Sequence, residues 1–589
     1  MTEALQARAV RRVVPRARLV AWTQDPYALA VASARTCYAA DFVFVGRLGA
    51  RGERTRMTLL DAFPDRRADL DAVADAATPH DRRLEIVTAL QDVAEDPAAR
   101  DAVAVFADLA RQRAETDDRI ARSIYEAGHH TPFQHPTFVF ALEDVSRNVV
   151  ESFFHQHMFY NSEQQSQRYV RMTEAEVVVP DRIADDPAAR AVFEEAVGQA
   201  YDAYERLREM LVGANERTMA AIGRIKGQSD KQVRSEAEKK SQEMARYVVP
   251  VAAATRLYHT VSGIVLLRYL RMVEAQSAPG EARAVVQQMV EEVRKVDPAF
   301  LEATAEEPLA ADLLPDRSLV EEAPLAPTVP LEGRTSVLLD ATPHAEALVV
   351  RVLREVTGSA LPDAELLRRV LDPGANRVWN DTLNTWDHSP LLRALRHVRL
   401  TFHKRQSLAA YAQDQRHRMT PATRPLLQRA VFGDPDAPDV FTPDVIRDMP
   451  EARALYDDSM RRLWAAMRRL RAEHHVPAVD CAYLLPNATN LYYTQSGDLL
   501  SYIHKWRLRL CFNAQKEIYE AALDELRQAQ ERMPGLTRWL GPPCSFVAAA
   551  QPPGKQDDVA ACCPEGPRWC GVKVWKGFDP ATGKPRRPY

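Results

Sequence analysis

The sequence predicts an α+β protein in which one unit is used twice, and three observations predict it. Thr137 to Leu142 carries alternating apolar residues, which read as a half-buried strand. The segment from Pro187 to Lys240 carries heavy Glu/Lys/Arg patterning and reads as long helix. At Ser336 the chain starts again, repeating the strand, helix and loop signals of its first half.

Composition sets the bounds. The 589 residues suffice for two or more domains. Charged residues make up 27% and the formal net charge is -4, so neither nucleic acid nor a membrane surface is an expected partner. No apolar run reaches the length of a membrane span. The Arg-rich N-terminus lacks an apolar signal core, and a cytoplasmic protein is expected. Seven cysteines in a chain this long do not suggest a disulfide framework.

In order, Arg18 to Pro26 reads as a strand and a turn, and Tyr27 to Tyr38 as an Ala-rich helix. Residues 40–118 are charged and helical without a chemical motif, an expected solvated insertion. The strand from Thr137 is followed by a helical run, Ser146 to His157. Then comes a loop, Asn161 to Arg168, dense in amide, hydroxyl and guanidinium groups and suited to an anion. Residues 303–335, rich in Pro, Glu, Ala and Leu, read as a linker between a first unit, 1–302, and a second, 336–540.

Specific residues carry a resemblance. His129-His130-Thr131-Pro132 with His135, Ser146-Arg147 and Ser166-Gln167-Arg168-Tyr169 resemble the signature region of the flavin-dependent thymidylate synthases, the ThyX family. That family's R-H-R is replaced in the first copy by His155-Gln156-His157, with one extra residue before Ser166. Ala245 to Pro250 resembles the family's A-R-x-x-L-P, with Arg246 at its Arg. Ser262 and Ile264 fall where the family has its cofactor Asn and Arg, and Ala278-Pro279-Gly280-Glu281 replaces A-Q-x-E-I.

The second copy complements the first. His388-Ser389-Pro390 echoes His130-Thr131-Pro132, and Ser407 echoes Ser146. Gln413 to Arg418 is an intact Q-x-x-R-H-R, and Ala514 to Ile518 an intact A-Q-x-E-I. The S-x-R-Y loop is lost, with Arg424 the one residue able to replace its Arg, and Ala482 stands at the A-R-x-x-L-P arginine. Arg507 and Arg509 compete for the family's nucleotide Arg.

The resemblance implies two antiparallel sheets with long helices, and methyl transfer to C5 of dUMP or a related uridine nucleotide from methylenetetrahydrofolate. FAD and NADPH would supply the reducing equivalents. It places Arg416, His417 and Arg418 in catalysis and at the cofactor. His130, Thr131 and Gln515 join them at the cofactor, and Gln413, Ser166, Arg168, Arg246, Arg507 and Arg509 serve the substrate. Arginine suits such a site because it donates bidentately and stays charged at any working pH. Since the usual family member is a homotetramer with shared sites, a homodimer of this tandem chain is expected. A degenerate nucleotide-binding or scaffold homologue is the alternative. Beyond the resemblance, residues 541–589 hold Cys544, Cys562, Cys563 and Cys570 among turn residues, a candidate structural zinc set.

Overall fold

The computed structural model describes residues 5–40, 43, 49–74, 80–94, 96–275, 280–315 and 319–588. Ala278 and Pro279 lie outside them. Among the described residues ten strands run in chain order: β1 (Val10–Arg12), β2 (Arg16–Trp22), β3 (Thr137–Ser146), β4 (Asn161–Gln164), β5 (Ala175–Val177), β6 (Ala254–Ser262), β7 (Ser336–Ala341), β8 (Arg399–Ser407), β9 (Ala422–Thr423) and β10 (Asn490–Asp498). They form two four-stranded antiparallel sheets of the same topology, β2-β3-β6-β4 and β7-β8-β10-β9. A short parallel pair, β1-β5, stands apart.

The two units match in position at their structural landmarks. Each central strand ends on a serine, Ser146 or Ser407, whose hydroxyl caps the next helical turn. Each of β6 and β10 ends four residues after Tyr258 or Thr494, on Ser262 or Asp498, where the next helix begins. The helices that follow are also paired: Pro187–Lys226 with Pro450–His474, Gly263–Met272 with Leu499–Arg509, and Gly280–Val296 with Lys516–Arg532.

The copies are fused rather than strung together. The largest hydrophobic core takes Val197, Tyr204 and Leu207 from the first copy and Leu455, Tyr456 and Leu463 from the second. The backbone crosses over at Pro250 and Pro486, which bridge antiparallel. Val251 donates to the Leu485 carbonyl and Asn487 to that of Val249, both at 2.9 Å. Side chains repeat the exchange. Tyr483 donates to Glu281 at 2.8 Å, and Tyr247 donates to Glu517 at 2.6 Å. Each glutamate also accepts the amide and hydroxyl of its own copy's capping serine. A pseudo-twofold axis therefore runs between the units.

Three local departures from the sequence reading have physical reasons. The run after Ser146 is one α-turn, Arg147–Val149, and then a π-turn, Val150–Phe154, which absorbs the one extra residue of the first copy. The anion loop begins as strand β4, paired with β6. The residues described between 49 and 126 form helices with a small core of their own, Leu59, Leu70, Ile86 and Phe106.

The tail packs on the second copy through Cys544, Phe546 and Val574. Its thiols do not gather as the sequence suggests. Cys562 points to the carbonyls of Lys555 and Gln556. Cys511, from upstream, joins Cys544, Cys563 and Cys570 around a small apolar cavity. Burial pushes these thiols up, Cys511 to about 12, so they are protonated at neutral pH. Among the described residues no group of three or more His, Cys, Asp or Glu side chains is arranged to hold a metal. The described residues also hold no helix long and apolar enough to cross a membrane.

Candidate functional site

The crossover brings the retained residues of the two copies to one place. Gln515 is its hub. Its side-chain oxygen accepts from Arg246 of the first copy at 2.6 Å and from Gln413 of the second at 2.5 Å, and its amide donates to Tyr247. Arg168, reached by the loop after β4, donates through Nη2 to the Asn513 carbonyl at 3.2 Å and through Nε to Glu243. The Ser166 hydroxyl accepts the Arg168 amide at 3.2 Å, closing the loop into a tight turn. Asn487 holds the Gln167 side chain at 3.1 Å, so the loop is clamped from the second copy.

Arg509 completes this wall. Its Nη2 donates to the Gln413 carbonyl at 2.7 Å and its Nε to Nε2 of His417 at 2.8 Å. Burial, and then Arg509, hold His417 well below its ordinary range. It is neutral, and since Nε2 accepts, its proton sits on Nδ1. Arg507, two residues earlier on the same helix, faces the other way, with its guanidinium 4.6 Å from the Phe546 ring and 5.6 Å from that of Trp386. Arg509, not Arg507, joins the cluster.

The electrostatics are one-sided. Lys240, Arg168 and Arg246 surround one interior carboxylate, Glu243, which Lys240 contacts at 3.1 Å, and Arg509 lies near Arg168. Although burial opposes ionisation, Lys240, Arg168 and Arg246 hold Glu243 at about 2. Burial draws both Arg246 and Arg509 down to about 10, which still leaves them charged at neutral pH. The Nε of Arg246 is buried without a hydrogen-bond partner. Arginines gathered with a spare donor suit a dianionic ligand.

Arg416 and Arg418 lie along the rim, against the first copy's β4. Arg416 donates to the Ser162 carbonyl at 2.8 Å and to Glu163 at 3.1 Å. Arg418 donates to Asn161 at 3.0 Å and lies 4.5 Å from the Tyr160 ring, its Nε buried and unpaired. His130 and Thr131 are not part of this gathering. The His130 ring contacts the Tyr125 carbonyl at 3.2 Å, inside the first copy.

The pseudo-twofold mate of this site has lost its chemistry. Counting from the paired tyrosines Tyr247 and Tyr483, Arg246 corresponds to Ala482 and Glu243 to Val479. Counting from the capping serines, Gln413 corresponds to Ser152. Thr423 pairs with Thr494 as Glu163 pairs with Tyr258, so Arg168 corresponds to Gln428 rather than to Arg424. Asn148, Ser152, Arg424, Gln428, Val479 and Ala482 line a small cavity there. Arg424 is drawn instead to the Glu151 carbonyl, 2.8 Å away, beside Gln415 and the buried pair Arg147–Glu151.

Sequence reasoning missed a buried tetrad behind the site. Lys404 meets Asp414 at 2.8 Å and Glu525 at 2.6 Å, and Lys505 meets the same two at 3.1 and 3.0 Å. None of the four is more than 1% exposed. Asp414 adjoins Gln413, so the tetrad fixes the turn that presents Gln413, Arg416 and His417. The readable signal was Lys404, which sits at even spacing with Phe402 and Gln406 in β8, where an inward charge requires partners.

Comparison with known proteins follows the same division. The family model described as Thymidylate synthase complementing protein matches residues 75–299 and 337–535. Among curated relatives, the flavin-dependent thymidylate synthase of Clostridium tetani is 33% identical over 171 residues, 29% of this chain and 64% of its own length. That of Nitratidesulfovibrio vulgaris is 32% identical, over 30% of this chain and 63% of its own. The chain thus spans under two thirds of either relative. The protein of the same name from Geobacter sulfurreducens is 28% identical over 40% of this chain and 92% of its own length. Of solved structures, the UMP/dUMP methylase PolB from Streptomyces cacaoi, bound with 5-Br dUMP, aligns at 17% identity and TM-score 0.29 over 50% of this chain and 95% of its own. Thymidylate synthase X from Helicobacter pylori, with FAD and dUMP, aligns at 18% and 0.27 over 34% and 96%.

Proposed function

The chain belongs to the thymidylate synthase complementing protein family, in two tandem copies, and from that premise we propose that it is a flavin-dependent thymidylate synthase-type enzyme with one composite site per chain. It methylates dUMP or a related uridine nucleotide with methylenetetrahydrofolate and NADPH, in the cytoplasm, as a homodimer. The observation that carries the reading is the convergence of Arg168 and Arg246 from one copy with Gln413, Arg509 and Gln515 from the other. Neither copy alone holds the set.

Each group has a task that its position suits. Arg168, Arg246 and Lys240 bind the nucleotide phosphate, with the free Nε of Arg246 as a ready donor. Gln413, whose Nε2 donates to the Ala409 carbonyl and the Gln515 side chain, presents its side-chain oxygen to read the pyrimidine edge by accepting. Arg509 and the Nδ1–H of neutral His417 stabilise negative charge developing on a uracil carbonyl, as donors fixed before reaction. Arg416 and Arg418 on the rim, with the orphaned Arg418 Nε and the Tyr160 ring beneath it, fit the phosphates and ring of FAD. When bound, that flavin supplies hydride chemistry. The residues here bind and orient both partners and close water out.

The test is a visible absorption spectrum of the purified protein with FAD, titrated with dUMP, followed by an assay of NADPH-dependent dTMP formation. A flavin spectrum that shifts with dUMP, and turnover, are expected. No retained flavin and no response to dUMP would sink the enzyme reading. Nucleotide binding without turnover would instead support the degenerate homologue, which the lost chemistry around Ala482 and Gln428 favours for that second site.

A further inference from the structure

The pseudo-twofold mate of the composite site is not filled in. Asn148, Ser152, Arg424, Gln428, Val479 and Ala482 enclose about 250 Å³ of unfilled space, its mouth included. That is under the roughly 300 Å³ at which pockets for drug-sized ligands begin. The space is left by shortened side chains. Gln413, Glu243 and Arg246 stand at the composite site where Ser152, Val479 and Ala482 stand here.

What these replacements leave behind is polarity without partners. Asn148 is 2% exposed, Gln428 8% and Arg424 9%. The Oδ1 of Asn148 and the Nε of Arg424 are buried without a hydrogen-bond partner. The Gln428 amide has no side-chain hydrogen bond among the described residues. Ser152 is already committed, donating to the Asn148 carbonyl. Unpaired groups gathered in one cavity are costly, and a ligand that pairs them removes the cost.

The surrounding charges select the sign of that ligand. Two buried arginines, Arg147 and Arg424, act on one carboxylate, Glu151. Arg147 meets it at 3.4 Å. Arg424 instead donates to the Pro425 and Glu151 carbonyls at 2.9 and 2.8 Å, with the Tyr411 phenol beside it. Arg416 adds a further cation near Glu151. Asp480, next to Val479, answers to Arg182 and Asp181 instead. The acid of the composite site, Glu243, is the apolar Val479 here. Such a wall favours an anion over a neutral guest.

We propose that this cavity is a second ligand site, which takes a small monovalent oxyanion of the size of formate or bicarbonate. The Arg424 Nε and the amide groups of Gln428 and Asn148 donate to its oxygens. The oxygen of either amide can accept from a protonated oxyanion, since each amide offers both functions. This site is separate from the composite one and does not rest on the enzyme reading.

Thermal unfolding of the full-length protein in sodium formate, against sodium gluconate at equal ionic strength, tests this. An anion that binds only the folded state raises the melting temperature along a saturable curve. Wild type should show that curve in formate and not in gluconate, which is too large for the cavity. Gln428→Leu should raise the half-saturating formate concentration roughly 10- to 100-fold. Gln428→Glu, which sets a carboxylate beside Arg424, should abolish the response. Arg246→Ala alters the composite site alone and should keep it. No saturable rise in wild type, or the same rise in gluconate, overturns the proposal. Equal formate responses in wild type, Gln428→Leu and Gln428→Glu also overturn it. So does a response lost in Arg246→Ala and kept in Gln428→Leu, because the anion would then occupy the composite site.

Discussion

Glu281 offers a direct test of the interlock that assembles the site. Its carboxylate accepts from the Ser146 amide at 2.7 Å, from the Ser146 hydroxyl at 2.5 Å and, across the pseudo-twofold axis, from Tyr483 at 2.8 Å. Burial nevertheless raises its pKa from 4.5 to about 7, with the Ser146 and Tyr483 bonds resisting. A carboxyl whose folded pKa lies above its unfolded one binds more protons when folded. Its stabilisation is then complete below pH 4.5 and is lost as pH rises towards 7. A rise from 4.5 to about 7 corresponds to about 3.4 kcal/mol. Glu281 keeps partial exposure as a residue, and solvent screening trims this to about 2 kcal/mol. Glu281→Gln keeps the shape and removes the titration. Urea unfolding of wild type and variant at pH 5 and pH 8 isolates the effect, since Glu517 and every other titrating group is common to both. Wild type should lose about 2 kcal/mol more than the variant between the two pH values. Parallel pH dependences in the two proteins would refute the enclosed carboxyl, and with it the geometry of the crossover.

Other consequences concern the site and its support. Arg246→Ala should weaken dUMP binding roughly 10- to 100-fold by titration calorimetry, whereas Gln428→Ala, at the pseudo-twofold mate of Arg168, should leave it unchanged. Arg509→Ala should weaken dUMP binding and Arg507→Ala should not, because only the former reaches Gln413; equal effects would contradict this placement. Lys404→Met leaves Asp414 and Glu525 with one lysine between them, and should cost about 3–5 kcal/mol in urea unfolding. A loss under about 1 kcal/mol would show that the tetrad does not hold its charges as the geometry requires.

Where the chemistry is local, the sequence is readable. The alternation from Thr137 to Leu142 marks β3, and the restart at Ser336 marks the second sheet, because period and repetition are properties of short windows. Retention of Ser166, Arg168 and Arg246 in one copy, and of Gln413 and Gln515 in the other, pointed to the meeting of side chains across the copies that Arg246, Gln413 and Gln515 make. What escaped reading depends on which face meets the other copy. Arg507 and Arg509 stand two residues apart, about 200° around a helix, and only the packing shows which one turns inward. The π-turn at Val150 to Phe154 hides the extra residue of the first copy where spacing alone leaves the register open. Cys511 joins the tail thiols from far upstream, so no local spacing could include it or set Cys562 aside. Assigning Arg424 to the lost loop arginine failed for the same reason, since strand pairing, not identity, fixes the counterpart as Gln428.

The distribution of losses follows from the tandem arrangement. In a symmetric pair of identical chains, any substitution enters both composite sites at once, so Arg246→Ala would disable each of them. Covalent fusion removes that constraint, because the residue at 246 and the residue at 482 become separate positions facing separate pockets. The substitutions then gather by pocket rather than by copy. Ser152 comes from the first unit, and Gln428, Val479 and Ala482 from the second, and these pocket-forming changes all face one cavity. Their polar mates Gln413, Arg168, Glu243 and Arg246 face the other. What both pockets share is the frame: the capping serines, the crossed tyrosines and the two glutamates. The frame is retained on both sides because each tyrosine–glutamate bond joins one copy to the other. Loss of either would loosen the wall that holds Gln515 between Arg246 and Gln413. The pocket that has lost these side chains therefore still supports the frame around the other.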